Sequence, residues 1–200
     1  IFVADLTLES DIISIATACD VVDGIVHSAG IVSPSTTKFI LKKQIANVFD
    51  TNYSSIVLLI SALFRKKKIA PKVSCVFLSS FSAHFPFPGG SIYSSTKAAL
   101  EAYSKTLAVE NASIGLRANC VLPALVRTDI YDQTFSITDG QQGVERRSRY
   151  ESLYLHGIGT TDQVANTVTF LLSDASSWIT GQSIVLDGGY LLGVLSKSIE

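Results

Sequence analysis

Methionine is absent from the 200-residue sequence, so the chain does not begin with one. The first six residues, IFVADL, are typical of a β-strand, and we therefore expect further residues before Ile1 in the natural protein. Long apolar runs are also lacking, because the stretch from Ile56 to Phe64 is much shorter than the ~20 residues that a membrane-spanning helix needs. The sequence therefore predicts no membrane segment.

An excess of charge of one sign is missing too, since 16 basic and 17 acidic residues give a net charge of −1. Without such a field, the sequence favours neither nucleic acid nor an anionic membrane as a partner. Cysteine and histidine are sparse, and their spacing fits neither a disulfide framework nor a metal site. These residues are Cys19, Cys75, Cys120, His27, His84 and His156. We expect reduced core thiols, no metal and a cytoplasmic protein.

Short β-rich runs alternate with longer helical segments, which predicts an α/β fold with a doubly wound parallel sheet covered by helices on both faces. Strands are expected at residues 1–6, 24–30, 72–80, 115–123 and 182–189. Helices are expected at 7–19, 37–68, about 92–112 and 161–173. Residues 129–160 are irregular, and we interpret them as a mobile excursion with one short helix. No repeat or linker divides the chain, so 1–200 is predicted to be a single domain.

Three residues of interest follow predicted strands or end them. Ser28, Ser80 and Pro123 each fall where a strand finishes. In an open doubly wound sheet, ligands bind at the carboxyl ends of the strands. We therefore expect the chemistry of this protein at that edge.

Tyr93 and Lys97 lie four residues apart at the start of a predicted helix, in the segment YSSTK. Side chains at this spacing share one face of a helix, so a phenol and an ammonium group are brought side by side. A nearby cation favours the phenolate and moves its pKa from ~10 toward the range useful for proton transfer. Alone, such a pair also occurs on ordinary helices. Ser80 lies thirteen residues upstream, where its hydroxyl could bind the oxygen of a carbonyl or alcohol.

Asn52 stands inside an apolar helical run, FDTNYSSIVLL, where its helix propensity is unfavourable. Two interpretations remain open at this point. Its side chain could bond a backbone carbonyl or mark a small kink. It could instead hold a water molecule for proton relay.

Taken together, these motifs resemble the short-chain dehydrogenase/reductase family, of the single-domain type that includes 3-oxoacyl-ACP reductases. The matching segments are YSSTK with Ser80 at the family spacing, FDTNYSS, HSAG, NCVLPALVRT and ITGQSIVLDGG, and they occur in the family's order. The resemblance covers essentially the whole chain. It implies a Rossmann-like, three-layer fold that binds a nicotinamide cofactor.

The resemblance also implies the role of each site residue. Tyr93 would be the proton donor and acceptor, Lys97 would lower its pKa and bind the nicotinamide ribose, and Ser80 would orient the substrate oxygen. Asn52 would hold the water that links Lys97 to solvent. The remaining cofactor contacts implied are Asp5 at the adenine amine with the Leu6 backbone beside it, Ser28, Ala29, Gly30, and Pro123, Val126 and Thr128 at the nicotinamide. Asp5 could alternatively serve only the start of the following helix, and Gly30 only a turn.

The chain departs from the family pattern in ways that matter for the cofactor. Ser28 stands where the family has an asparagine, and Ala124 where a glycine is usual. No Gly-x-x-x-Gly-x-Gly turn occurs in the sequence, so the first strand-helix-strand unit with its phosphate-binding turn is missing. We expect roughly fifty further N-terminal residues and, without them, a gap in the sheet beside the first strand. The choice between NADP(H) and NAD(H) would be made there, and we favour NADP(H) slightly.

Substrate choice is expected to reside in residues 129–160. Aromatic and apolar surface comes from Tyr131, Phe135, Tyr150, Leu153 and Tyr154, and positive charge from Arg146, Arg147 and Arg149. The arginines would suit a carrier-bound thioester and the aromatics a small-molecule ketone, and the sequence does not choose. By resemblance the intact protein would be a homotetramer or homodimer.

The leading hypothesis is therefore an NAD(P)(H)-dependent oxidoreductase that interconverts a ketone and a secondary alcohol. An alternative is a catalytically silent relative that serves as a binding or regulatory subunit, which Ser28 and the missing phosphate turn would favour. A third possibility, an epimerase or dehydratase of the extended branch, needs an added substrate domain for which this sequence has no room.

Overall fold

The computed structural model describes residues 1–128, 131 and 140–197. Its four strands form one parallel sheet in the order β1-β2-β3-β4. They are β1 (Val22–His27), β2 (Ile69–Leu78), β3 (Arg117–Pro123) and β4 (Ser183–Leu186). In the register, Phe77 of β2 lies between His27 of β1 and Cys120 of β3. The prediction of a parallel α/β sheet is confirmed.

Seven α-helices accompany the sheet in the described residues. They are α1 (Glu9–Ala18), α2 (Lys42–Phe49), α3 (Ser55–Arg65), α4 (Ser91–Glu110), α5 (Gly140–Glu151), α6 (Thr161–Leu172) and α7 (Tyr190–Lys197). Short 3-10 turns lie at Thr37–Phe39, Phe81–Ala83, Ala112–Ile114 and Asp174–Ser176. Three of these helices, α1, α4 and α6, lie where the sequence predicts them, and α2 and α3 both lie within the predicted helix 37–68. The helix expected within 129–160 is α5.

The core has two parts, one on each face of the sheet. Along β2, Cys75 and Phe77 pack with α1, α3 and α4, whereas Val76 between them packs with α6. Successive side chains of a strand point to opposite faces, so this alternation defines three layers. Because both faces are covered, residues 73–77 of β2 and 118–122 of β3 are fully buried, as in buried parallel sheets.

The predicted first strand, residues 1–6, is wrong. These residues form no strand in the structure, and the side chains of Ile1, Phe2 and Val3 are exposed. A strand needs a neighbouring strand for its backbone hydrogen bonds, and none in the described part of the chain lies beside these six residues. β1 is accordingly an edge strand of the described sheet.

The predicted long helix over 37–68 is interrupted. A 3-10 turn comes first, α2 begins only at Lys42, and a π-helix at Asp50–Ser54 separates α2 from α3. In the π segment the Ser55 N–H donates to the Asp50 carbonyl, five residues back. Such wide turns inside helices are frequent at functional sites, and this one contains Asn52.

Among the described residues, none of the helices is long and apolar enough to cross a lipid bilayer. In the same part of the chain, no three His, Cys, Asp or Glu side chains form a group that could hold a metal ion. Cys75 and Cys120 are buried thiols in β2 and β3, and burial raises the pKa of the Cys75 thiol to about 12. Cys19, just after α1, is only half-buried.

Candidate active site

A pocket of about 360 Å³ opens at the carboxyl edge of the sheet, beside the start of α4. This volume lies in the range of small-molecule and cofactor sites. Its lining includes Ser28 after β1, Ser80 after β2, Pro123 at the end of β3, and Tyr93 and Lys97 on α4. The structure therefore brings together, at the edge that the sequence predicts, residues that lie up to 95 positions apart.

The loop between β2 and α4 places Ser80 next to Tyr93. Ser80 precedes the 3-10 turn at Phe81–Ala83 and caps it, because its Oγ accepts a hydrogen bond from the Ser82 N–H at 3.1 Å. Gly89 has a φ of 82°, a left-handed conformation that favours glycine, and its carbonyl accepts from the Ser35 N–H at 3.0 Å. The chain then turns into α4, with Tyr93 in the first turn of the helix.

Tyr93 is half-buried in the pocket wall. Burial raises the pKa of its phenol above 10.0, and a hydrogen bond with the Ser80 side chain acts in the opposite direction. A hydrogen bond that stabilises the phenolate lowers the pKa of the phenol. Ser80 therefore acts on the Tyr93 pKa in the direction that the sequence analysis expects of Lys97. The prediction that Lys97 lowers the pKa of Tyr93 stays a prediction.

Lys97 is almost entirely buried, with 4% of the residue exposed. Its Nζ donates a hydrogen bond to the Leu78 carbonyl at 2.7 Å and lies 5.4 Å from the centroid of the Tyr93 ring. Burial lowers the pKa of this amine from 10.5 to about 8. The ammonium group has three N–H donors, and one is committed to the end of β2. Burial of the charged Lys97 amine in the pocket wall is therefore unfavourable for the stability of the fold.

Asn52 holds the loop that follows β1. Its Oδ1 accepts from the Ile31 N–H at 2.8 Å, and its Nδ2 donates to the Ile31 carbonyl at 3.0 Å and to Thr96 Oγ1 at 3.1 Å. The Asn52 carbonyl lies 2.9 Å from His27 Nε2 at the end of β1. Both side-chain N–H groups are therefore used within the protein. The first sequence interpretation, a backbone-bonded amide at a kink, describes this arrangement, and the proton-relay water stays a prediction.

Replacing Asn52 with Ala is expected to lower the free energy of unfolding by about 2 kcal/mol, because the N–H and carbonyl of Ile31 lose their partner. Urea unfolding followed by circular dichroism measures the change. Asn166→Ala on the exposed face of α6 is the matched control and should change stability by less than about 0.5 kcal/mol. Equal effects of the two substitutions would show that the Ile31 loop does not depend on Asn52.

Gly30 shows how the pocket would accept the cofactor implied by the family. A Cβ at this position would lie 3.3 Å from Lys97 Nζ and 3.6 Å from Asn52 Oδ1. The absence of a side chain at Gly30 therefore lets the backbone of the loop lie close to the Lys97 ammonium group, where a Cβ would be crowded. Ser28 and Ala29 beside it are exposed. A bare, accessible backbone next to a cationic donor fits the ribose and nicotinamide end of a dinucleotide.

The second wall of the pocket follows β3. Val126 pairs with Gly159 in an isolated parallel bridge, and the Arg127 N–H donates to the Gly159 carbonyl at 2.9 Å. Thr128, exposed at the pocket rim, donates from its hydroxyl to the Val126 carbonyl at 3.3 Å. Pro123, Val126 and Thr128 thus line the pocket, and the nicotinamide contacts that the resemblance implies for them stay a prediction.

Asp5 and Leu6 lie apart from this pocket. The Asp5 carboxylate accepts from the Thr7 N–H at 2.9 Å and from Thr7 Oγ1 at 2.7 Å, and these bonds lower its pKa. Leu6 packs against the core beside α1. Asp5 therefore stabilises the turn before α1, in agreement with the alternative that it serves the start of that helix. The adenine contacts of both residues stay predictions.

Several residues of the site were not identified from the sequence. Leu125 and Val164 line the pocket, and the buried Ser82 bonds Ser80. A serine two positions after another is a recognisable turn pattern and could have indicated Ser82. Of the residues predicted to select the substrate, Tyr131 and Tyr154 pack together in a small apolar cluster. Phe135 and the side chain of Arg146 lie outside the described residues.

The fold and the pocket define a Rossmann-like α/β protein with a serine, a tyrosine and a lysine at the carboxyl edge of its sheet. Comparison with known proteins gives the family, because the family model described as Enoyl-(Acyl carrier protein) reductase matches residues 4–191. The chain belongs to the short-chain dehydrogenase/reductase family. The sequence-based recognition of this family is thereby confirmed.

Individual relatives agree with this assignment. The 3-oxoacyl-(acyl-carrier-protein) reductase FabG of Chlamydia muridarum is 32% identical over 168 residues, which cover 84% of this chain and 65% of the relative. A tropinone reductase homolog of Arabidopsis thaliana is 32% identical over 158 residues, 79% of this chain and 58% of the relative. The chain thus spans between half and two thirds of the length of such curated relatives.

A solved structure shows the same fold. The short chain dehydrogenase family protein from Francisella tularensis superimposes with a TM-score of 0.84 at 30% sequence identity. The match covers 96% of this chain and 81% of the other. The Rossmann-like prediction is therefore confirmed at the level of the fold.

Proposed function

We propose that this chain carries the catalytic residues of an NAD(P)(H)-dependent oxidoreductase that interconverts a ketone and a secondary alcohol. The observation that carries the proposal is the joint position of Ser80, Tyr93 and Lys97 in one pocket. The family, whose relatives are named as reductases and dehydrogenases, supports the same reaction type.

In the proposed reduction, the Tyr93 phenol donates its proton to the carbonyl oxygen, and in the oxidation the phenolate takes a proton from the alcohol. Ser80 donates a hydrogen bond to the same oxygen and thereby stabilises the negative charge that develops there. Lys97 favours the phenolate electrostatically when it is charged. The bound nicotinamide supplies or accepts the hydride.

The residues available to hold the cofactor follow from the pocket. Lys97 can donate to the ribose hydroxyls, and the exposed backbone of Ser28, Ala29 and Gly30 can lie against the sugar. We place the nicotinamide along the Pro123–Val126 wall with Thr128 at its carboxamide, and the adenine near Asp5 and Leu6. We favour NADP(H) over NAD(H), in keeping with the resemblance to 3-oxoacyl-ACP reductases.

The proposed substrate is a small-molecule or carrier-bound carbonyl compound or its alcohol. The name of the Chlamydia relative, which refers to an acyl-carrier-protein substrate, supports the carrier-bound class. Arg147 is engaged in contacts within the protein. Its Nε donates to Glu151 Oε1 at 3.0 Å, and its guanidinium lies 4.7 Å from the centroid of the Tyr131 ring. Tyr131 also donates to Glu151, so this group holds α5 against the pocket. Arg149 on the same helix is exposed and is the better candidate for an acidic carrier.

We further propose a cytoplasmic protein that assembles as a homotetramer or homodimer, with no nucleic-acid or membrane partner. The near-neutral net charge supports the last point. Analytical ultracentrifugation of the full-length protein measures the assembly state.

Cofactor binding tests the proposed function most directly. The full-length protein is titrated with NADPH and with NADH, and binding is followed by the change in nicotinamide fluorescence. We expect micromolar affinity for one of them, tighter for NADPH, followed by oxidation of the bound cofactor when a ketone is added. Absence of binding at millimolar concentrations of both would contradict the proposal and favour the catalytically silent subunit.

A further inference from the structure

We infer that Ser82 is a positioning residue that makes the Ser80 hydroxyl a hydrogen-bond donor toward the reacting oxygen. The inference deepens the proposed function and rests on it for its catalytic meaning. The direction of the hydrogen bonds around Ser80 is argued from distances and burial alone, and it does not depend on which reaction the protein catalyses.

The argument begins with the bonding capacity of Ser80. A serine hydroxyl has one hydrogen to donate and two lone pairs that accept. The Ser82 N–H donates to Ser80 Oγ at 3.1 Å, and the Ser82 hydroxyl donates to the same atom at 3.0 Å. Both acceptor positions are then occupied. The one remaining capacity of Ser80 is donation.

The direction of the second bond follows from the surroundings of Ser82. Ser82 is 7% exposed, and Ser80 Oγ is the acceptor that the described residues offer to its hydroxyl. If Ser80 donated instead, the Ser82 hydrogen would be left without an acceptor in a largely buried site, which is unfavourable. The backbone N–H of Ser82 can only donate, so the first bond has no alternative direction.

A donating Ser80 has a specific effect on its neighbours in the pocket. Its hydrogen is available to the Tyr93 oxygen, whose pKa a bond with Ser80 lowers, or to a substrate oxygen, and either contact stabilises negative charge on oxygen. The titratable groups that share the pocket with Tyr93 are Lys97 on α4 and Tyr131 across from it. Ser82 bonds Ser80 directly through its N–H and its hydroxyl, so it acts on Tyr93 through Ser80.

Removal of the Ser82 hydroxyl would free one lone pair of Ser80. That lone pair could then accept the proton of the Tyr93 phenol, which stabilises the neutral form. In Ser82→Ala we therefore expect the Tyr93 pKa to rise and kcat to fall about tenfold with little change in KM, since the donor is lost mainly from the transition state. Ser82→Thr keeps the hydroxyl and should restore both values.

The experiment measures the Tyr93 pKa without substrate or cofactor. Tyrosinate absorbance is titrated in wild type, Ser82→Ala and Ser82→Thr, each against the same protein with Tyr93→Phe, so that the difference reports Tyr93 alone. Ser95→Ala on the exposed side of α4 serves as the control and should leave the Tyr93 pKa unchanged. Circular dichroism verifies that every variant is folded.

A higher Tyr93 pKa in Ser82→Ala, reversed in Ser82→Thr, supports the inference. An unchanged pKa in folded Ser82→Ala, or a Ser82→Thr variant that behaves like the alanine variant, overturns it. Failure of the wild-type protein to reduce any ketone would count against the proposed function, whereas the titration would still decide the hydrogen-bond direction.

Discussion

Tyr93→Phe is expected to lower kcat for ketone reduction by about 1,000-fold, within the range that a positioned general acid contributes. The substitution removes one oxygen atom and keeps the ring, so the packing of α4 against the pocket is preserved. The Ser80 hydroxyl would remain to bind the carbonyl oxygen, and KM should change little. Steady-state oxidation of NADPH by the full-length protein, with a saturating ketone, measures the effect.

The control for this substitution is Tyr103→Phe on the same helix. Tyr103 packs edge-on against Tyr53 and Phe77 in the core, away from the pocket. Removal of the Tyr103 hydroxyl should leave kcat within about twofold of wild type, since Tyr103 is not among the residues that line the pocket. A Tyr93→Phe enzyme that keeps a tenth or more of wild-type activity would rule out Tyr93 as the proton donor.

The elements that sequence predicts well are those specified by local patterns. The strand that ends at Leu78 is rich in β-branched and apolar residues, and α4 begins directly after the Pro/Gly-rich loop, so the predicted positions of both agree closely with the structure. Parallel strands that share an edge then determine that Ser80 and Tyr93 meet. The central pair of the site was predictable because a few short motifs and one topological rule define it.

The remaining features depend on contacts between distant segments. Residues 1–6 have the composition of a strand, yet a strand exists only when a neighbour supplies its hydrogen bonds. The π segment at Asn52 depends on partners at Ile31, Thr96 and His27, which no periodicity reveals. Ser82 differs, because its two hydrogen bonds to Ser80 lie inside one turn and the Ser-x-Ser pattern could have indicated them.

Lys97 shows how burial changes the meaning of a motif. The sequence places its ammonium group on the Tyr93 face of α4, and the structure adds that the group is almost fully desolvated. A pKa lowered from 10.5 to about 8 means that holding the charge near pH 7 costs roughly 3 kcal/mol. Under the proposed function, the site would therefore contain a residue that stability disfavours.

Lys97→Met is accordingly expected to change activity and stability in opposite directions. Methionine has a similar length without the charge, so the free energy of unfolding at about pH 7 should rise by about 2 kcal/mol, after about 1 kcal/mol is subtracted for the lost bond to the Leu78 carbonyl. The activity should fall about 100-fold or more, because the cation beside Tyr93 and the proposed donor to the cofactor ribose are both removed. Urea unfolding and steady-state kinetics on the same preparation measure the two effects.

The pH dependence of the stability difference identifies its cause. Below about pH 8 the amine is charged in both the folded and the unfolded chain, and the folded protein bears the full cost of burying it. Between about pH 8 and 10.5 the unfolded chain binds more protons than the folded one, so wild-type stability rises with pH. The gain in free energy of unfolding in Lys97→Met should therefore be largest at neutral pH and shrink as the pH rises toward 10.5.

The control is Lys105→Met, on an exposed position of the same helix, which should show no such trend. A Lys97→Met protein that is less stable than wild type near pH 7 would mean that the ammonium group contributes to folding, and that its charge is compensated in the pocket.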